Sequence, residues 1–198
     1  HWSRPLSHPD EKVRRDGRDG LQRALQDAKK YGATSVLLVP GVVNKDVSYD
    51  DCFKRCVAEI KQVLPVAKDL GVNIAIENVW NRFLLSPLEA AAYVDAFKSP
   101  MVRWHFDVGN VVDSGWPDQW IRVLGPRIAK IHVKEYSRKL RDEKGPRTGF
   151  QVNLMEGDSD LLLSSLSRGV DRLAAFVNDL LDLGRVENGT MSMHVGPM

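Results

Sequence analysis

Cysteine is nearly absent. The two that occur, Cys52 and Cys56, stand one helical turn apart and not in the C-x-x-C spacing. They read as buried, reduced thiols of a cytoplasmic protein, with a redox or metal pair as the weaker alternative. An excess of charge of one sign is missing too. Lys and Arg total 28 against 26 Asp and Glu, a formal net charge of +2. That balance argues against nucleic acid or an acidic membrane surface as partner. No apolar run approaches the roughly 20 residues a membrane helix needs. No glycine-rich phosphate-binding turn follows any apolar run, which removes support for a dinucleotide fold. A signal peptide is lacking as well. The chain opens on His1, as expected if a natural start lies upstream, and such a start would also hide any signal.

What is present is an alternation. At 43% hydrophobic residues the chain can bury a core, as one large domain or two small ones. From Asp19 to Gly71 the pattern predicts helix, strand, helix. Leu21, Ala24, Leu25 and Ala28 recur at helical spacing, and Gly32 closes the run. Ser35 to Pro40 is a short apolar strand of the kind buried on both faces. Ser48 and Asp51 mark a helix start, and Pro65 should kink that helix. Val72 to Ile76 is the next strand. Ser86, Pro87 and Glu89 cap a further helix, predicted to bury Leu88, Ala91, Ala92 and Phe97. Strands over Val102–Phe106 and Ile128–Val133 flank a helix over Trp116–Leu124. Strands alternating with helices imply a parallel sheet, either doubly wound or a (β/α)8 barrel. Residues 137–160 are polar and predict a long loop.

Glu77, Asp107 and His132 fall at the C-terminal ends of three successive predicted strands. In parallel α/β folds that edge gathers ligands and catalytic groups. Two carboxylates and an imidazole suit one divalent metal: Mn²⁺, Mg²⁺, Co²⁺ or Zn²⁺. Singly, each has a plainer reading: a cap or ion pair for Glu77, turn chemistry for Asp107, a structural imidazole for His132. The recurrence at one edge favours the ligand reading.

The stretches HWSRPLSHPD, VLLVPG, GVNIAIENVWNRFLLSP, WHFDVGN, RIAKIHVKEYSRK and NLMEGDSD resemble the sugar phosphate isomerase/epimerase family with the xylose-isomerase-like barrel. They cover most of residues 1–160. The resemblance implies an α/β fold, a partial (β/α)8 TIM barrel of about strands three to seven, with a C-terminal amphipathic helix. It also implies a metal held by Glu77, Asp107 and His132 and by an acidic residue of an eighth strand. Lys134, Asn78 and Trp2 are implied as substrate contacts. The reaction implied is isomerisation or epimerisation of a sugar or sugar phosphate through an enediolate, with Glu77 as one of two proton-transferring carboxylates. Asn110 stands where many members have histidine. The first two strands and the eighth are not recognisable, so impaired activity is expected. Glu156 is a weak substitute for the missing acid. An abasic-site endonuclease of the same superfamily needs more ligands and a more basic groove than five histidines and +2 provide.

Beyond residue 160 the pattern changes. Leu163, Leu166, Val170, Leu173, Val177 and Leu180 are spaced 3, 4, 3, 4, 3, the seam of a coiled coil. The run SRGVDRLAAFVNDLLDLGRVENGTMSMHV resembles the second dimerisation helix of a histidine kinase. No phosphoacceptor motif accompanies it; His8 is followed by Pro9 and Asp10. The expectation is a barrel fragment over 1–160 joined to a helical tail over 161–198. A non-enzymatic fragment that self-associates through Leu163–Leu180 is the alternative.

Overall fold

The computed structural model describes residues 3–153 and 156–158. These belong to one compact unit that ends at Ser159. Trp2 and the Leu163–Leu180 seam lie outside the described residues.

Four strands form one parallel sheet in the order of the chain: β1 (Ser35–Leu38), β2 (Asn73–Glu77), β3 (Val102–Asp107) and β4 (Ile128–His132). Each is followed by helix, as the alternation predicts. The helices are α1 (Glu11–Lys30), α2 (Tyr49–Leu70), α3 (Pro87–Asp95), α4 (Val108–Val112), α5 (Pro117–Leu124) and α6 (Arg138–Lys144). No strand follows β4 among the described residues. The architecture is that of a partial (β/α)8 barrel.

Several boundaries differ from expectation for identifiable reasons. Helix α1 starts at Glu11 and not near Asp19, because the Asp10 side chain caps it by accepting from the Lys12 N–H. Its Gly17 and Gly20 are both buried. A Cβ at Gly17 would lie 2.7 Å from the Arg4 carbonyl oxygen, so glycine is what lets the N-terminal segment cross the helix. Residues 137–160 are not one long loop: Ser137 caps α6 by accepting from the Leu140 N–H, and a 3-10 turn follows over Pro146–Phe150. Strand β1 is not buried on both faces; Leu37 is 45% exposed. Pro65 lies within α2, which runs unbroken to Leu70.

Helix α3 buries Ala90, Tyr93 and Val94, with Phe97 just beyond it, and leaves Leu88 exposed. The Glu89 carboxylate fixes this rotation. It accepts from the Tyr49 hydroxyl at 2.5 Å and from the Leu85 N–H at 2.9 Å. Ser86 supplies the expected cap, accepting from the Glu89 N–H.

The sheet has two unlike faces. Register sets Ile74 beside Val102 and Ile76 beside Trp104 on the face packed by the helices. All four side chains are buried, as alternation requires of a strand under a helix layer. The other face carries Glu77 beside His105 and Asp107 beside His132. Helices α1 and α2 are clamped by Glu59, buried between Arg14 (2.8 Å) and Arg18.

Candidate metal centre

Three strand ends deliver the site. Parallel register brings Glu77, Asp107 and His132, each the last residue of its strand, to the same edge. The His132 Nδ1 lies 3.1 Å from Asp107 Oδ2 and 3.7 Å from Glu77 Oε1. One imidazole nitrogen thus faces two carboxylates.

His105, two residues before Asp107 on the same face, completes the group. One ligand atom each from Glu77, His105 and His132 falls within 4.8 Å of the others. Ligand atoms around one tetrahedral ion, at about 2.1 Å from it, are separated by about 3.4 Å. Small side-chain rotations close the difference, and the mixed carboxylate and imidazole donors fit a divalent first-row metal. The sequence reading missed His105. The signal was its two-residue spacing from Asp107, which puts both on one face of β3.

Burial sets the electrostatics. Desolvation raises the Glu77 carboxyl above its ordinary range, and the neighbouring Asp107 charge adds to it. Desolvation also raises Asp107. His105 is lowered, first by burial and then by His132. Carboxylates held uncomfortably as anions and an imidazole held neutral are what a cation relieves.

Asn78 organises the strand ends and is buried. Its Nδ2 donates to the Asp107 carbonyl (2.7 Å), and its Oδ1 accepts from the Asp107 N–H (3.0 Å) and Trp104 Nε1 (3.2 Å). Its side chain thus ties the ends of β2 and β3 together, and the residue also lines the cleft beside Trp80. Asp107 caps α4, accepting from the Asn110 N–H through Oδ1 (2.8 Å) while Oδ2 faces His132. Asn110 in turn donates from Nδ2 to the Asn78 carbonyl (2.9 Å), and its Oδ1 accepts from Lys134 Nζ (3.1 Å). Lys134 Nζ is 3.9 Å from Asp107 Oδ2 and 4.0 Å from the Phe150 ring centre. Gly109 lets the chain leaving β4 pass close by: a Cβ there would sit 2.7 Å from the Lys134 carbonyl oxygen. Glu156 is turned to its own loop, accepting from the Asn153 N–H (3.1 Å) and Nδ2 (2.9 Å).

The sequence matches the family model described as xylose isomerase-like TIM barrel over residues 1–180. The chain belongs to that family. The match runs into the stretch read above as a kinase-like helix and ends within it. Solved structures agree on the barrel fold. A xylose isomerase domain protein from Planctomyces limnophilus is 19% identical with a TM-score of 0.65, over 93% of this chain and 70% of that one. A D-psicose 3-epimerase, determined in the presence of D-fructose, is 23% identical with a TM-score of 0.62, over 68% and 50%. An IolI protein with a bound zinc atom is 19% identical with a TM-score of 0.59, over 67% and 49%. The chain spans about half the length of the epimerase structures it matches. No curated protein matches it.

Proposed function

We propose that this protein binds one divalent metal through Glu77, Asp107 and His132, with His105 beside them, and isomerises or epimerises a sugar or sugar phosphate. The observation that carries the reading is the convergence of these side chains at the C-terminal edge of three adjacent parallel strands. Membership of the family and the epimerase titles among similar folds support the reaction class. The metal, when bound, polarises neighbouring carbonyl and hydroxyl oxygens, so that a carbon-bound proton beside them becomes removable. Glu77 accepts that proton. Asn78 holds β2 and β3 in register at the site, and Asp107 is oriented by its cap on α4. Lys134, anchored on Asn110, donates to a substrate oxygen. Trp2 stays a proposed substrate contact on the resemblance alone.

Residues 161–198 are proposed as a separate segment, in line with the compact unit ending at Ser159. The reading of that segment as a dimerising, kinase-like helix has less support, since the family match extends to residue 180. Among the described residues, no helix is long and apolar enough to cross a membrane. Buried free Cys52 and Cys56 suit the reducing cytoplasm proposed here.

The test is proton exchange. The chain is incubated with Mn²⁺ and D-fructose or D-tagatose in heavy water, and deuterium beside the carbonyl is followed by NMR. Mn²⁺-dependent incorporation, lost in Glu77→Gln, is expected. No incorporation, together with a melting temperature indifferent to Mn²⁺, overturns the proposal.

A further inference from the structure

We propose that the substrate carries an anionic group, phosphate or carboxylate, received by Arg82 and Arg147 on the far side of Trp80 from the metal centre. This rests on the sugar reading above and narrows it to acidic sugars.

Two clefts share Val79, Trp80, Asn110 and Arg147. One, of about 430 Å³, is also lined by Lys134 and Phe150. The other, of about 390 Å³, is also lined by Arg82, Asp113 and Ser114. Trp80 is fixed between them: its Nε1 donates to the Asn110 carbonyl at 3.0 Å, and its ring meets Tyr136 and Phe150. The two clefts have the size of small-molecule sites. They lead from Lys134, beside Asp107, to a pair of guanidinium groups.

Neither the Arg82 nor the Arg147 side chain makes an ion pair or hydrogen bond among the described residues, a freedom shared with exposed arginines such as Arg23, but only these two line a cleft with Trp80. The acid in the same cleft does not neutralise them. Asp113 Oδ1 already accepts from the Tyr136 hydroxyl (2.8 Å) and from Arg141 Nη1 (3.3 Å). Two open guanidinium forks facing one cleft match the geometry of phosphate or carboxylate oxygens.

The backbone adds an independent observation. Arg82 has φ of +60° and Leu84 of +58°, a region costly for residues with a Cβ and kept only where the surroundings impose it. Here they do. Asn81 Nδ2 donates to the Gly41 carbonyl (2.8 Å), the Phe83 N–H to Asn81 Oδ1 (3.2 Å) and the Leu84 N–H to the Tyr49 hydroxyl (3.0 Å). Asn81, Phe83 and Leu84 are buried while Arg82 alone among them is turned outward. The loop anchors every neighbour of Arg82 and leaves its head free for a ligand.

Calorimetry on the whole chain tests this. With Mn²⁺ present, D-fructose, D-fructose 6-phosphate and D-glucuronate are compared; inorganic phosphate is titrated into the metal-free chain. At least one anionic sugar is expected to bind tenfold or more tighter than D-fructose, and which one distinguishes phosphate from carboxylate. Arg82→Gln and Arg147→Gln should each lose that tenfold and leave D-fructose affinity unchanged, while the exposed Arg23→Gln should lose nothing. Equal binding of all three sugars overturns the proposal, as does an equal loss in Arg23→Gln or no loss in the two cleft variants. If D-fructose and Mn²⁺ fail to bind but phosphate binds the metal-free chain and weakens tenfold in both cleft variants, the arginine cleft stands and the sugar reading falls.

Discussion

Strand β3 has two sides that obey different rules. Val102, Trp104 and Phe106 face the helices and are 1% exposed or less. His105 and Asp107 alternate with them and face the site, while Arg103, at the start of the strand, donates to the carbonyls of Pro126 and Arg127. On the first side any set of apolar groups filling the same volume would serve. On the second, identity matters at each position: a carboxylate where an imidazole stands would change which cation fits. The two sides are not independent, because Trp104 reaches through the strand end to Asn78, which holds Asp107.

Replacing Trp104 with Ala breaks the comparison most severely. It removes a fully buried ring and one bond to Asn78, and a loss of about 3–5 kcal/mol is expected, read as a lower urea midpoint. Metal affinity should fall with it, because Asn78 loses a partner.

Asp107→Asn separates the two sides. Divalent-metal affinity should drop about a hundredfold, about 2.8 kcal/mol at 1.4 per tenfold. The amide oxygen can still accept from the Asn110 N–H, so the urea midpoint without metal should move by less than about 1 kcal/mol. Calorimetry with Mn²⁺ and a denaturation curve without it check both halves. A parallel fall in stability would mean that Asp107 serves the fold first.

Glu59→Gln probes the helix layer alone. Removing a buried charge shared by Arg14 and Arg18 should cost about 2 kcal/mol, below the range of a fully buried pair since both arginines are partly solvated. Mn²⁺ affinity should not change.

The smallest effect concerns Tyr49, whose hydroxyl is pushed up to about 12 by burial and by its bond to Glu89. The fold favours the neutral phenol. Its contribution is complete below pH 10, the ordinary tyrosine value, and is lost as pH rises toward 12. Tyr49→Phe should cost about 1 kcal/mol at neutral pH and flatten the fall in melting temperature over that alkaline window.

Much of this was legible in the sequence. Caps at Ser48 and Ser86, apolar runs and terminal glycines are local signals, and the strands they bracket came within a residue or two. Glu77, Asp107 and His132 were legible because strand ends repeat along the chain. His105 was not singled out: its two-residue spacing from Asp107 puts both on one face, but only the pairing with Glu77 across β2 and β3 brings it to the other ligands. The rotation of α3 escaped for the same kind of reason. Leu88 is more apolar than Ala90, but the Glu89 contacts with Tyr49 and Leu85 come from distant or preceding segments and decide which side turns inward.

The close pass at Gly109 has a consequence for how the centre tolerates change. The residue touches neither ligand nor cleft, and the space a methyl group would need is occupied by the backbone of Lys134. A side chain there would push on the segment that carries His132 and Lys134 away from Asp107. The damage would surface as misalignment between two halves of the site in a protein whose core is otherwise intact. Position 109 is thus a spacer: it sets a distance, and its fitness is measured in ångströms of separation rather than in bonds made.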